Sequence, residues 1–213
     1  SYRMKFHIPK TPAGKDVIYF AGHSLGLQPK SVRAYVEQEL LDWETMGVEG
    51  HNHVKNPWLP YHEFLTNQAA ALVGALPEEV VNMNSLSVNM HLMMVSFYRP
   101  TPQRNKILIE ANAFPSDHYA VQSQIKFHGF DPATSLIEMK PREGEDTVRT
   151  DDILEYIEKE GDSIALIMFA GVNYYTGQAF DIERLTKAAH AKGCRVGFDL
   201  AHAAGNILLK LHE

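Results

Sequence analysis

The sequence predicts an α/β protein: three layers, a mostly parallel sheet with helices on both faces, preceded by N-terminal helices. Two observations support this fold class. From residue 106 onward, segments of strand length alternate with segments of helical periodicity. The strand-like segments are apolar throughout, as expected of parallel strands that are buried on both faces. A chain of 213 residues with 45% hydrophobic content can bury a substantial core.

Two helices and a loop are predicted before the sheet. Residues 31–47 and 61–75 have the spacing of surface helices, and residues 48–60, rich in Gly, Asn and Pro, indicate a loop between them. Residues 80–83 are predicted to form a short strand. A polar turn follows, and an apolar helix is expected to open near Ser87.

The regular alternation begins with a strand at 106–111. Further strands are predicted at 135–140, 163–170 and 194–199, with helices at 116–128, 150–161 and 181–193. Ser116 or Asp117 is expected to cap the first of these helices and Thr150 the second, because short polar side chains satisfy the free N–H groups of a helix start.

Composition argues against several classes of partner. Twenty basic and 26 acidic residues give a net charge of −6 without any Lys/Arg block, so a nucleic-acid partner is not expected. The longest apolar run, residues 164–172, is too short to span a membrane. The lone Cys194 cannot form an internal disulfide, which favours a cytoplasmic location. No histidine spacing matches a zinc site, so no metal is expected.

The segment Gly22-His23-Ser24-Leu25-Gly26 matches the nucleophile elbow of α/β-hydrolases. An elbow requires earlier sheet strands and an oxyanion loop, yet only 21 residues precede it. A glycine-rich turn is the simpler interpretation.

Several polar and aromatic residues follow predicted strands, where ligands of open α/β sheets bind. The amides of Leu86 and Ser87, at a helix start, suit a phosphate group. A flat aromatic ring and a second helix start follow strand 106–111, in the segment Phe114, Pro115, Ser116 and Asp117. Each residue alone has a plain structural interpretation as a cap or a core side chain.

Asp199 is harder to explain structurally, because a carboxylate at the end of a buried strand is costly unless a cation pairs with it. A protonated heteroaromatic nitrogen would serve. Ala170 ends the preceding strand, and His202 follows Asp199 closely enough to pack on such a ring. We therefore predict a pyridoxal 5′-phosphate site, because a helix start for the phosphate, an aromatic side chain and a carboxylate occur together.

Four segments then resemble a known family: YFAGHSLGLQPKSV, FPSDHYA, MKPREGED and AKGCRVGFDLAHAAGN are similar to kynureninases, which are fold-type-I pyridoxal-phosphate enzymes related to class V aminotransferases. The likeness runs from about Val17 to Glu213. It implies that residues 61–213 are a partial pyridoxal-phosphate-binding large domain, and that residues 1–60 are an N-terminal segment with a helix and a substrate-side loop.

The resemblance implies hydrolysis of L-kynurenine or 3-hydroxykynurenine to anthranilate or 3-hydroxyanthranilate and L-alanine, a step of tryptophan catabolism and NAD biosynthesis. It implies that Asp199 contacts the pyridine nitrogen, as the partner of the electron sink. The other implied cofactor contacts are Leu86, Ser87, Phe114, Pro115, Ser116, Asp117, Ala170 and His202. Ser24 and His51 resemble substrate-pocket residues, and a homodimer is implied for the full-length form.

Departures from the family pattern are also visible. His23 stands where asparagine is usual, and Ala170 where serine is common. The Schiff-base lysine and the carboxylate-binding arginine of the family lie in segments beyond this chain, and Lys210 is not a suitable substitute. The chain is therefore expected to be inactive alone. The alternatives are a non-catalytic fragment or short isoform that binds a full-length partner, or another fold-type-I enzyme such as a cysteine desulfurase.

Overall fold

The computed structural model describes residues 1–213, which form two compact units. The first comprises Ser1–Asn82 together with Leu208–Glu213, and the second comprises Met83–Ile207. The first unit continues past residue 60, where the sequence predicts a domain boundary, and that domain assignment stays a prediction. No helix in either unit is long and apolar enough to cross a membrane.

The first unit is built from two helices and several short turns. Helix α1 is Val32–Met46 and helix α2 is Thr66–Val73. The predicted helix over 61–75 is thus shorter than expected, because the chain at Tyr61–Glu63 forms a separate 3-10 turn. The other 3-10 turns are Tyr2–Lys5, Gly47–His51 and Pro77–Glu79.

The second unit contains all the strands of the fold. Its elements are α3 (Leu86–Phe97), β1 (Lys106–Glu110), α4 (Pro115–Phe127), α5 (Pro132–Ser135), β2 (Leu136–Met139), α6 (Thr150–Glu160), β3 (Ile164–Ala170), α7 (Ile182–Ala191) and β4 (Arg195–Asp199). The four strands are parallel and lie in the order β2-β1-β3-β4. The α/β fold class is confirmed.

Successive residues of β1 point to opposite faces of the sheet, and each face has its own core. Ile107 and Ile109 belong to one core cluster with side chains of α3 and α4. Leu108 belongs to the other, together with Ile153 of α6 and Leu185 of α7. Helices therefore cover both faces, which explains why the strands lack alternation of polar and apolar residues.

Three local predictions are wrong. Residues 80–83 form no strand; Asn84, at φ 44°, turns the chain directly into α3. Helix α4 begins after Phe114 with Pro115 in its first turn, and no side chain caps it. Helix α6 begins after Arg149 with no side-chain cap, so Thr150 lies inside the helix. In contrast, Asp181 caps α7 by accepting from the Arg184 N–H.

Arg104 joins the amino ends of two strands. Its Nη1 donates to the carbonyl oxygens of Gly161 at 3.2 Å and Ile164 at 2.9 Å, and its Nη2 donates to that of Lys192 at 2.9 Å. Ile164 begins β3, and Lys192 precedes β4. Three backbone acceptors are thereby satisfied by one guanidinium group.

Candidate functional site

Polar groups concentrate at the opposite, carboxyl edge of the sheet. Glu110 ends β1, Ala170 ends β3 and Asp199 ends β4, and the last two are register partners. Because the strands are parallel, residues that follow them meet at one edge. Two of these three terminal residues are buried carboxylates: Glu110 is 2% exposed and Asp199 9%.

Asp117, in the first turn of α4, forms a carboxyl–carboxyl hydrogen bond with Asp199. Burial raises the pKa of Asp117 to about 7, and the hydrogen bond and negative charge of Asp199 act in the same direction. The Ser116 hydroxyl donates to Asp117 at 3.1 Å, and the Ala201 N–H donates to Asp199 at 2.8 Å. The Asp117 carboxyl group therefore keeps its proton up to a near-neutral pH.

Glu110 adds a third carboxylate to this edge. Both of its oxygens lie within 3.3 Å of the Ala170 N–H, and the Asn173 side chain also hydrogen-bonds to it. Burial raises the pKa of Glu110, and the charge of Asp199 adds to this effect. Its hydrogen bonds favour the ionised form and partly offset the desolvation.

The carboxylates have little positive charge to balance them. No arginine forms an ion pair with Glu110, Asp117 or Asp199. No group of three His, Cys, Asp or Glu side chains is arranged to hold a metal ion. A buried cluster of like charges is costly, so this edge is suited to an organic cation.

Three aromatic rings lie beside the carboxylates. Phe114 follows β1, Tyr174 follows β3 and His202 follows β4. The Phe114 and Tyr174 rings meet edge to face, with centroids 5.1 Å apart. The centroid of His202 is 6.2 Å from that of Phe114 and 6.3 Å from that of Tyr174. Phe114 is 40% exposed, so its ring is not a core side chain.

The start of α3 supplies backbone donors. Leu86 and Ser87 are the first two residues of this helix, and the preceding Ser85 makes no side-chain cap. First-turn N–H groups have no partner within a helix and favour an anion. Leu86 and Ser87 are also exposed, so a ligand can reach their amides.

A cavity of about 200 Å³ brings Leu86 and Asp199 to one space. Its wall is otherwise mostly apolar and comes from α3, β3 and β4: Asn89, Met90, Met93, Met94, Phe97, Leu166, Met168, Val196, Gly197 and Phe198. An apolar wall around Asp199 increases the cost of its charge and therefore its preference for a cationic partner.

The structure thus gathers most of the candidate cofactor residues in the second unit. Pro115 and Ser116 fill the first turn of α4, and Ala170 contributes its N–H to Glu110. Sequence reasoning missed Glu110, Asn173 and Tyr174. The sequence did contain two signals for them: Glu110 is an acid at the end of a buried strand, and Tyr174 and Tyr175 are adjacent tyrosines that follow a second buried strand.

The two candidate substrate residues lie in the first unit. Ser24 is exposed in a turn, where its N–H donates to the Ala21 carbonyl at 3.0 Å. No strand precedes this turn directly and no helix follows it directly, so the nucleophile-elbow interpretation is wrong. His51 is exposed, with its Nδ1 2.8 Å from the Val48 carbonyl oxygen. The substrate roles of Ser24 and His51 stay predictions.

A flat cationic heteroaromatic ring that carries a phosphate matches this edge: carboxylates for the cation, rings for the flat face and a helix start for the phosphate. The fold is that of the aminotransferase class-V family, and the family model "Aminotransferase class-V" matches residues 18–213. The chain belongs to this family.

Within this class, the relatives are kynureninases. The kynureninase of Koribacter versatilis (strain Ellin345) is 69% identical over 212 residues, and that of Myxococcus xanthus (strain DK1622) is 64% identical. The mouse (Mus musculus) kynureninase is 53% identical over 223 residues. Each alignment covers 100% of this chain and 48–50% of the relative, so the chain spans about half the length of the curated relatives it matches.

Solved structures share the fold at low sequence identity. A C-DES mutant with glycine covalently linked to its PLP cofactor superposes with a TM-score of 0.74 at 15% identity, over 98% of this chain and 52% of that one. The cysteine desulfurase CsdA from Escherichia coli gives a TM-score of 0.71 at 15% identity, over 99% of this chain and 50% of its own. At these identities the likeness concerns the fold alone.

Proposed function

We propose that this chain provides the cofactor-binding edge of a kynureninase and that the cofactor is pyridoxal 5′-phosphate. The observation that carries the proposal is the buried Asp117–Asp199 pair, which no arginine balances. A protonated pyridine ring is the cation that this site fits. The identities of 53–69% to kynureninases support the choice within the family.

When bound, pyridoxal phosphate withdraws electrons from the substrate carbon that carries the amino group, and a proton on its ring nitrogen strengthens this effect. Asp199 would hold that proton on the nitrogen. Asp117 would keep Asp199 oriented through their shared hydrogen bond. The amides of Leu86 and Ser87 would hold the phosphate, while Phe114 and His202 would pack on the ring.

The proposed reaction of the full-length protein is hydrolysis of the Cβ–Cγ bond of L-kynurenine or 3-hydroxykynurenine. The hydroxyl of water joins the γ-carbonyl carbon, and Cβ receives a proton. The products are anthranilate or 3-hydroxyanthranilate and L-alanine. Ser24 and His51 are proposed to line the pocket for the substrate's aromatic ring.

A binding experiment tests the cofactor site on this chain. Pyridoxine 5′-phosphate lacks the aldehyde, so it cannot react with surface lysines and reports only non-covalent contacts. We expect calorimetric titration to show binding by the wild type and at least tenfold weaker binding by Asp199→Asn, a loss of about 1.4 kcal/mol.

The matched control is Asp146→Asn, which removes an exposed acid from the same unit. It should bind as the wild type does. Absence of wild-type binding, or equal affinity in the two variants, would refute the proposed cofactor site. Circular dichroism of each variant establishes that it is folded.

The reaction is tested on the full-length gene product that contains this chain. Fluorescence of released anthranilate should appear with L-kynurenine, and cysteine should yield no sulfide. Sulfide release without anthranilate would instead support a cysteine desulfurase.

We further propose that the full-length enzyme is a homodimer of the cytoplasm. The family resemblance supports the dimer, and the free Cys194, the one cysteine among these 213 residues, supports a reducing compartment. Light scattering of the full-length protein, with a mass of twice the chain expected, tests the assembly.

A further inference from the structure

Tyr174 and Tyr175 are adjacent but differ in their surroundings. Tyr175 is 82% exposed. Tyr174 is half-buried, and its ring lies against both Phe114 and His202. Each of the three strand ends β1, β3 and β4 thus contributes one ring to the same cluster, and Tyr174 is the member without a predicted role.

The loop that carries Tyr174 is held in place by Asn173, which is 5% exposed. Its Oδ1 accepts from the Tyr175 N–H at 3.0 Å, the Thr176 N–H at 3.0 Å and the Thr176 hydroxyl at 3.2 Å. The backbone closes the same loop, since the Asn173 N–H donates to the Gln178 carbonyl at 2.8 Å. The side chain of Gln178 in turn binds the backbone of Val148.

A second contact links this loop to the carboxylates. The side-chain oxygen of Asn173 is occupied by the loop, so its amide nitrogen is the donor to Glu110. Glu110 also accepts from the Ala170 N–H, where the loop leaves β3. Burial of the Glu110 carboxylate costs free energy. Its hydrogen bonds to Asn173 and Ala170 hold the loop in a fixed position.

We infer that the ring of Tyr174 is a further cofactor-contacting group, which forms a third aromatic wall beside Phe114 and His202. The inference deepens the proposed function and rests on it. The ring, and not the hydroxyl, makes the contacts seen here, so an aromatic side chain of the same size suffices. Glu110 and Asn173 are positioning residues that act through the loop.

The test compares Tyr174→Leu, Tyr174→Phe and the matched control Tyr175→Leu in titrations with pyridoxine 5′-phosphate. We expect Tyr174→Leu to weaken binding at least fivefold, while Tyr174→Phe and Tyr175→Leu stay within twofold of the wild type. Leucine keeps an apolar side chain at a half-buried position, so the fold should tolerate it.

A second readout needs no ligand. Ring currents act on neighbouring protons, so the imidazole proton resonances of His202 should shift in Tyr174→Leu and stay in place in Tyr175→Leu. Unchanged His202 resonances would overturn the proposed ring cluster.

The possible failures are distinguishable. Wild-type binding with equal affinities for Tyr174→Leu and Tyr175→Leu would overturn the inference and leave the proposed function standing. Equal losses in Tyr174→Phe and Tyr174→Leu would replace the ring contact with a hydroxyl contact and so also overturn it. A wild type that does not bind the ligand would overturn both.

Discussion

Asp117 is hydrogen-bonded to Asp199, and this contact adds to burial in raising the pKa of the Asp117 carboxyl group. The two come from different elements, the first turn of α4 and the end of β4. Such a contact is stable only while the proton remains, because two ionised carboxylates repel each other. The stability of the fold is therefore linked to pH at this edge.

Replacement of Asp117 by asparagine should change the pH profile of stability. The pKa of Asp117 rises from 3.8 to about 7 on folding, so between these values the folded state holds a proton that the unfolded state has released. Wild-type stability should therefore fall as pH rises from about 4 to about 7, by on the order of 3 kcal/mol. Asp117→Asn retains a donor to Asp199 at every pH and should flatten this decline.

Urea unfolding at pH 4.5, 6 and 8 measures this profile. The variant should exceed the wild type in free energy of unfolding at pH 8. The exposed Asp146→Asn should keep the wild-type profile. Equal slopes in Asp117→Asn and the wild type would contradict a raised pKa of Asp117 in the folded state.

Asn173→Ala should loosen the loop of residues 171–180. The substitution removes an acceptor of three hydrogen bonds and a donor to Glu110, at a cost of about 1–3 kcal/mol. Chymotrypsin should then cut after Tyr175 roughly tenfold faster, since local opening precedes cleavage. Asn52→Ala, at an exposed position, serves as the control. Equal cleavage rates in both variants would argue that the Asn173 side chain does not hold the loop in place.

Arg104→Lys should destabilise the sheet although the charge is kept. A lysine cannot reproduce the planar fork that serves the carbonyls of Gly161, Ile164 and Lys192. We expect a loss of about 1–3 kcal/mol in urea unfolding. Arg99→Lys is the control, because Arg99 is exposed and donates to a single carbonyl. A loss of the same size in both variants would contradict the role assigned to the three contacts of the Arg104 guanidinium group.

Gly50→Ala should displace Trp58. A Cβ at position 50 would lie 2.4 Å from the Trp58 ring, which also donates through Nε1 to Glu39 at 3.1 Å. We expect a red shift of tryptophan emission and a loss of about 1–3 kcal/mol. Gly22→Ala has open space around the new methyl group and should leave both unchanged. An unshifted spectrum for Gly50→Ala would mean that the indole has room to move.

Much of the fold could be predicted because its strands are continuous apolar runs. The strand predicted at 163–170 is β3 (Ile164–Ala170), and the helices after β1 and β3 start within one or two residues of the predicted positions. The strand predicted at residues 80–83 does not form. The two valines and the methionine of this segment have a high propensity for strands, but no neighbouring strand pairs with them. Propensity does not contain the pairing information that makes a strand.

Part of the candidate site could be predicted from the sequence because of the sheet topology. Parallel strands bring Phe114, Asp199 and His202 to one edge, and the sequence predicts that Asp199 ends a strand and that the other two follow one. The hydrogen bond between Asp117 and Asp199 could not be predicted from the sequence, because it depends on the angle at which α4 leaves the sheet. Tyr174 was missed since nothing in the sequence distinguishes it from Tyr175.

The position of Arg104 has a consequence for how this protein can change. The guanidinium group fastens the amino ends of β3 and β4, whereas the carboxylates and rings gather at the other end of the strands. The contacts of Arg104 and the candidate site thus lie at opposite ends of the strands. Substitutions at the carboxyl edge, in evolution or by design, therefore leave the contacts of Arg104 with β3 and β4 in place.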